Sequence, residues 1–166
     1  MIIELKDLFE APGCSIPFSG EVDLSDVEIW GARPFRTPVN VSGVLQNRSG
    51  VVSLEYSAKY TLEYECDRCR KATRKDEEKS FTHWLARQLA GENEDDEYVI
   101  VKGTELPMDE LVMTDITLEL PFRLLCREDC KGLCPVCGAD LNERTCDCSK
   151  KQVDPRLESL KKLLES

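Results

Sequence analysis

Eight of the nine cysteines in this 166-residue sequence fall in four close pairs: Cys66/Cys69, Cys126/Cys130, Cys134/Cys137 and Cys146/Cys148. Cys14 stands apart. Two cysteines with two residues between them can turn both thiolates toward one ion, and Gly138, directly after Cys137, gives such a turn backbone freedom. Four thiolates fill a tetrahedral Zn2+ and leave no open position, which marks a structural rather than a catalytic ion. The eight paired cysteines therefore suffice for two Zn2+. Local spacing lets Cys134, Cys137, Cys146 and Cys148 close a small zinc ribbon, leaving Cys66, Cys69, Cys126 and Cys130 for a second set. A partition that takes Cys130 into the ribbon stays open, because pairing is not readable from spacing alone.

Other cysteine chemistries fit less well. A thioredoxin-like redox pair needs a βαβ context with the motif opening a helix, whereas Cys66 follows a strand and Arg68-Cys69-Arg70-Lys71 opens no amphipathic helix. Cys130-x3-Cys134-x2-Cys137 has the spacing of a radical-SAM iron–sulfur motif, but such enzymes need a larger α/β barrel. His83 is the single histidine, so a Cys–His nucleophile has little to stand on, and an ordinary strand residue is the expected role.

The elements that must hold these thiols read as mostly β. Leu54, Tyr56, Ala58, Tyr60, Leu62 and Tyr64 take every second position, with Glu55, Lys59, Glu63 and Glu65 between them. That period of two predicts a half-buried antiparallel strand whose tyrosines face a core. Val39, Val41, Gly43 and Leu45 alternate in a preceding strand, and Asn47-Arg48-Ser49-Gly50 separates the two as a hairpin turn would. The long strand runs into Cys66-Asp67-Arg68-Cys69, and a return strand over 73–85 makes that motif a hairpin tip. Residues 91–97 read as a solvated acidic loop and Tyr98–Val101 as a further strand. Pro107 to Leu120 favours a helix: proline suits the first turn, Asp109 and Glu110 suit its positive end, Leu111, Val112 and Ile116 share a face, and Pro121 ends it. Asp154-Pro155 then opens a short helix with Leu157, Leu160, Leu163 and Leu164 in one stripe, which must dock to persist.

The fold class expected is α+β: a mainly antiparallel β core, a helix before the second cysteine cluster, a C-terminal zinc ribbon and a short terminal helix. The expected division is a β-rich core over 1–125 that includes the first CxxC, a zinc-binding cluster over 126–150, and a docking helix over 151–166.

Acidic residues number 32 against 22 basic, a net charge of −10 with pI near 4.7, so the whole molecule is not a basic coat for nucleic acid. Cysteine content, roughly 5%, is below that of a disulfide-built scaffold. The first residues lack the pattern of a secretory signal and no apolar run approaches the ~18 residues of a membrane span, so a cytoplasmic protein is expected, where disulfides are uncommon. Charge is uneven: residues 66–75 carry Arg68, Arg70, Lys71, Arg74 and Lys75 against Asp67, and residues 120–166 are near balance. Two four-thiolate zinc centres, each −2, take the chain to −14 and nearly cancel the basic excess around the cysteines. The acidity lies on 1–65 and 76–119, which favours a protein partner over direct contact with nucleic acid.

In combination, several motifs resemble the YceD family, named for accumulation of large-subunit ribosomal RNA in bacteria. They are Cys66-Asp67-Arg68-Cys69 after a long strand; Leu120-Pro121 followed by Cys126 and Cys130; and Lys131-Gly132-Leu133-Cys134-Pro135-Val136-Cys137-Gly138. Asp140-Leu141-Asn142, Cys146-Asp147-Cys148, and Asp154-Pro155-Arg156-Leu157 with Leu160 complete the match. The resemblance implies a cytosolic protein supporting synthesis, processing or stability of 23S rRNA and hence 50S assembly, with no catalytic residues to carry over. Some members look to hold only the first metal set, with histidine where Cys126 stands. That grouping implies Cys66, Cys69, Cys126 and Cys130 as one set, and Cys134, Cys137, Cys146 and Cys148 as an added ribbon.

The expectation is thus a non-enzymatic ribosome-biogenesis factor with two structural zincs. Its partner would be a ribosomal protein or pre-50S particle, with Arg68, Arg70, Lys71, Arg74 and Lys75 the candidates for touching rRNA or that partner. No membrane and no small-molecule substrate are expected. The alternatives are a zinc-ribbon interaction module of a transcription or other complex, and a redox or metal-dependent enzyme.

Overall fold

The computed structural model describes residues 1–29, 31–87 and 98–148. The chain forms two compact units: Met1–Tyr64 with Thr73–Phe122, and Glu65–Ala72 with Arg123–Ser166. The Cys66–Cys69 motif, expected with a 1–125 core, therefore belongs to the cysteine-rich unit.

In the first unit the elements run β1 (Ile2–Glu4), α1 (Lys6–Glu10), β2 (Ser15–Val22), β3 (Val39–Arg48), β4 (Val51–Glu65), β5 (Ala72–Ala86), β6 (Tyr98–Ile100), β7 (Glu105–Pro107) and α2 (Met108–Glu119), with β4 and β5 reaching into the second unit at their joined ends. One five-stranded sheet has the order β2-β3-β4-β5-β6, and β1 pairs with β7 in a separate two-stranded sheet. The β3–β4 hairpin turns on Ser49 and Gly50, at φ 55° and 92°. Positive φ at both central residues is what a two-residue turn needs to match strand twist. Register then follows, with Val41 opposite Ala58 and Leu45 opposite Leu54.

That register puts the alternating residues of β4 on the core face. Leu54, Tyr56, Ala58, Tyr60, Leu62 and Tyr64 are all buried, while Glu55, Lys59 and Glu63 are exposed. Fully burying a side chain of leucine size contributes about 1.5–3 kcal/mol, so this stripe is a main reason the sheet has one dry face. Gly43 lies between Phe18 on β2 and Tyr56 on β4, where an added Cβ would stand 2.3 Å from the Glu55 carbonyl oxygen.

Along β4 and β5, Ser57 meets Ser80, Lys59 meets Glu78 and Thr61 meets Asp76. Partner numbers fall as strand numbers rise, so the pair is antiparallel. Phe81 and His83 thereby share the inner face with Tyr56, and Trp84 faces outward, 44% exposed. β6 departs from the antiparallel pattern: it joins β5 in parallel, Trp84 opposite Tyr98. The connection and its acidic 91–97 stretch lie outside the described residues. α2 starts one residue after Pro107, ends before Pro121, and buries Met108, Val112, Asp115 and Ile116. Asp115 reaches the inner face of the sheet, accepting from the Tyr56 hydroxyl and standing 2.7 Å from His83 Nε2.

In the second unit, residues 123–148 form turns and a single bridge, Leu133–Asp140, rather than the paired strands of a ribbon. The terminal helix expected over 151–166 lies outside the described residues.

Candidate metal centre

The two C-x-x-C motifs fold into turns of one construction. At the tip of the β4–β5 hairpin, Cys66 N–H donates to the Lys71 carbonyl at 2.9 Å and Arg70 N–H to the Cys66 carbonyl at 2.8 Å. In Cys134-Pro135-Val136-Cys137 the same bonds recur, Cys134 N–H to Ala139 at 2.8 Å and Gly138 N–H to Cys134 at 2.9 Å. Each turn closes on a residue of positive φ, Arg70 at 60° and Gly138 at 70°. Such a turn points two sulfurs to one side and spends its own backbone polar groups internally.

The residues between Cys66 and Cys69 carry the other half of the first set. Asp67 N–H donates to the Leu124 carbonyl at 2.9 Å, and the Asp67 carboxylate accepts from Leu124 N–H at 2.8 Å. Arg68 Nη1 donates to the Cys130 carbonyl at 2.6 Å, and the Arg68 carbonyl accepts from Leu133 N–H at 3.1 Å. Gly132 fits under this contact because it lacks a Cβ, which would meet the Arg68 oxygen at 2.9 Å. These bonds bring segment 124–133 onto the hairpin tip.

The outcome is two groups of four sulfurs, Cys66/Cys69/Cys126/Cys130 and Cys134/Cys137/Cys146/Cys148, with all sulfurs of a group within 4.8 Å of one another. Cys66 and Cys130 Sγ are 3.8 Å apart, and Cys69 and Cys126 Sγ 3.6 Å. A disulfide holds its sulfurs at about 2.05 Å. Tetrahedral thiolates around an ion with bonds of about 2.3 Å stand roughly 3.8 Å apart. The spacing fits a shared cation, and either group could hold one. Cys66, Cys69 and Cys130 are buried, whereas Cys137 is exposed and Cys146 and Cys148 half-buried.

The electrostatics agree with that fit. Burial pushes the Cys66 thiol up, but hydrogen bonds with the backbone of Cys126, Cys69 and Arg68 outweigh it and hold Cys66 at about 6. Cys126 is driven up to about 12, first by burial and then by bonding to Cys69, Cys130 and Cys66. In the second group the backbone of Cys137 and Val136 lowers Cys134 to about 6. Bonding to Cys137, then burial and the charge of the other sulfurs raise Cys148 to about 12. One thiolate per group is favoured and its charge opposes the next. A cation removes that opposition.

The five basic residues are divided. Arg68, Arg70 and Lys71 lie in the cysteine-rich unit and Arg74 and Lys75 in the β unit, all exposed. Arg68 is committed to Cys130, and Lys75 pairs with Glu77 at 2.5 Å. His83 joins neither sulfur group. Residue spacing had no means of finding Asp67 and Arg68 as clamps, or Asn142, whose side-chain amide lies 3.5 Å from Cys130 Sγ. The one signal was the polar Asp67-Arg68 pair inside a C-x-x-C.

A family model described as large ribosomal RNA subunit accumulation protein YceD matches residues 54–164, a span holding all eight paired cysteines. YlbN of Bacillus subtilis is 29% identical over 163 residues, 97% of this chain and 95% of that protein. A Mycobacterium tuberculosis protein is 32% identical over 103 residues, 60% of this chain and 49% of that protein. A chloroplast protein of Arabidopsis thaliana, named large ribosomal RNA subunit accumulation protein YCED homolog 1, is 36% identical over 50 residues, 30% of this chain and 16% of that protein. No solved structure matches. On a family match that takes in most of the chain, from near the start of the long β4 strand through both sulfur groups, the chain belongs to the YceD family.

Proposed function

We propose that this protein is a non-enzymatic, cytoplasmic ribosome-biogenesis factor. It supports synthesis, processing or stability of 23S rRNA, and so assembly of the 50S subunit, and carries two structural Zn2+. The observation that carries the reading is the family match over residues 54–164, which a ribosome-related role explains and which includes every paired cysteine. Soft thiolates select zinc among the common divalent ions, and four of them leave no position for substrate or water. In this reading Cys66, Cys69, Cys126 and Cys130 hold one ion, Cys134, Cys137, Cys146 and Cys148 the other. The ions fix the unit's shape and do no chemistry on a substrate.

The acidic β unit offers itself to a basic ribosomal protein of a pre-50S particle. Arg68, Arg70, Lys71, Arg74 and Lys75 are the candidates for contact with rRNA or with that partner. Residues 151–166, by their leucine stripe, are assigned to docking. Depletion in growing cells is expected to lower mature 23S rRNA and 50S particles relative to 16S rRNA and 30S. An unchanged subunit profile overturns the reading. Recovery of RNA polymerase instead of pre-50S components with the tagged protein points to the interaction-module alternative.

A further inference from the structure

One side chain links the two sulfur groups. Asn142 lies between Cys137 and Cys146, in the stretch whose two ends the second group holds. Its Nδ2 donates to Cys130 Sγ of the first group at 3.5 Å and to Asp140 Oδ1 at 2.7 Å. Its Oδ1 accepts from Lys131 N–H at 2.8 Å and Arg127 Nη2 at 2.9 Å, and its own N–H donates to Asp140 Oδ1 at 2.8 Å. Next to it, Leu141 N–H donates to the Gly132 carbonyl at 2.9 Å. Asn142 is thus tied to the residues on either side of Cys130, and its donor faces the sulfur of a residue that is 1% exposed.

We propose that the two metal sets are coupled, and that Asn142 is the positioning residue that couples them. An ion on Cys134, Cys137, Cys146 and Cys148 pins both ends of the 138–145 stretch and holds Asn142 against Cys130. The N–H then draws charge from the Cys130 thiolate and fixes the orientation of its sulfur, which raises the affinity of the first set. With the second set unfilled, the stretch is tied on one side only and Asn142 is less often in place. Partners of this kind to a ligating atom typically change metal affinity 10–100-fold when removed. Linkage makes the effect reciprocal: filling the first set must tighten the second by the same factor. The inference rests on both groups being metal centres.

The test is Cd2+ retention by the full chain against a competing chelator, followed by cadmium NMR, which gives each four-sulfur site its own resonance. The Cys146→Ser/Cys148→Ser variant identifies the first-set signal. That signal is expected to be lost at about tenfold less chelator in this variant than in the unaltered chain. Asn142→Ala is expected to weaken first-set retention 10–100-fold, and adding Cys146→Ser/Cys148→Ser to it is expected to change retention less than threefold further. Equal first-set retention with the second site intact or removed overturns the coupling. So does a second-site effect that persists undiminished without Asn142. Should Asn142→Ala leave residues 123–148 unfolded, Asn142→Asp keeps the oxygen that Lys131 and Arg127 need and removes the donor to sulfur. It too is expected to weaken the first set, and unchanged retention overturns the assignment. A chain that takes up no Cd2+ at either site refutes the metal reading itself, a different result from two independent sites.

Discussion

Arg70 and Gly138 occupy the same place in the two cysteine turns. Each follows the second cysteine of a C-x-x-C, each has positive φ, at 60° and 70°, and each donates its N–H to the carbonyl of the first cysteine, at 2.8 and 2.9 Å. Only one of them is glycine, so one turn carries a conformational strain the other avoids. The left-handed region costs a residue with a Cβ about 1–2 kcal/mol. Gly138→Val is expected to lower stability by about that amount, with β-branching setting the upper end. Arg70→Val is expected to be destabilising as well, and Arg70→Gly neutral or slightly stabilising. Thermal melting of the metal-loaded variants checks the order.

Gly132 has a second reason to be glycine. At φ 75°, an added Cβ would stand 2.9 Å from the Arg68 oxygen and 3.1 Å from Arg68 Cβ, against the backbone that also accepts Leu133 N–H. Gly132→Ala is expected to cost about 1–3 kcal/mol from backbone conformation, with the displaced contact adding to it. Cadmium NMR of the Cd2+-loaded variant after mild chelation should show metal lost from the set that includes Cys130 before the set that begins at Cys134.

On the β unit, the Tyr56 hydroxyl donates to the Asp115 carboxylate, which also stands 2.7 Å from His83 Nε2. Hydrogen bonds to charged groups are worth about 1.5–3 kcal/mol, and Tyr56→Phe is expected to cost that much while leaving both sulfur groups loaded. Burial, then the bond to Asp115, raises the Tyr56 phenol far above its ordinary range. Its contribution is therefore fully present below the unfolded phenol value near 10 and is lost as pH climbs beyond it. Stability should fall more steeply at alkaline pH in the unaltered protein than in Tyr56→Phe, as followed by melting temperature.

After chelation, the thiols themselves should set a pH optimum. Cys66 and Cys134 are lowered to about 6 from an ordinary 9.0, so their contribution is present above 9.0 and lost as pH falls through about 6. Cys126 and Cys148 are raised to about 12, so theirs is present below 9.0 and lost as pH rises through about 12. Thiolate absorbance should show an early step near pH 6 and a late one near 12 in the stripped protein. In the loaded protein both steps merge into one at lower pH, because every ligand ionises on binding.

Much of this architecture is legible in local pattern. The every-second-residue run from Leu54 to Tyr64 predicts a strand with one dry face, and the structure buries all six residues. The turn at 47–50 and the helix between Pro107 and Pro121 also follow from short-range chemistry. What escapes is whatever depends on partners distant in sequence. Asp115 reads as one more acidic residue on a helix until Tyr56 and His83 arrive from two strands to meet it. The parallel pairing of β6 leaves no trace in a three-residue segment. Asp67 and Arg68 look like spacer residues, and only Leu124 and Cys130, more than fifty residues away, reveal them as clamps.

The first sulfur group draws on two stretches of chain, with Cys69 and Cys126 separated by 57 positions. The second lies wholly within 134–148. On a translating ribosome, at about 5–20 residues per second, Cys66 and Cys69 emerge roughly 3–12 s before their partners. For that interval the nascent chain presents an open thiol pair, able to take a metal in a half-site or to be oxidised. Closing the loop then carries the entropy of a long connection, which the local group avoids. The first ion can be locked in only after residue 130 has been made, so its capture marks the point at which synthesis has passed the β unit.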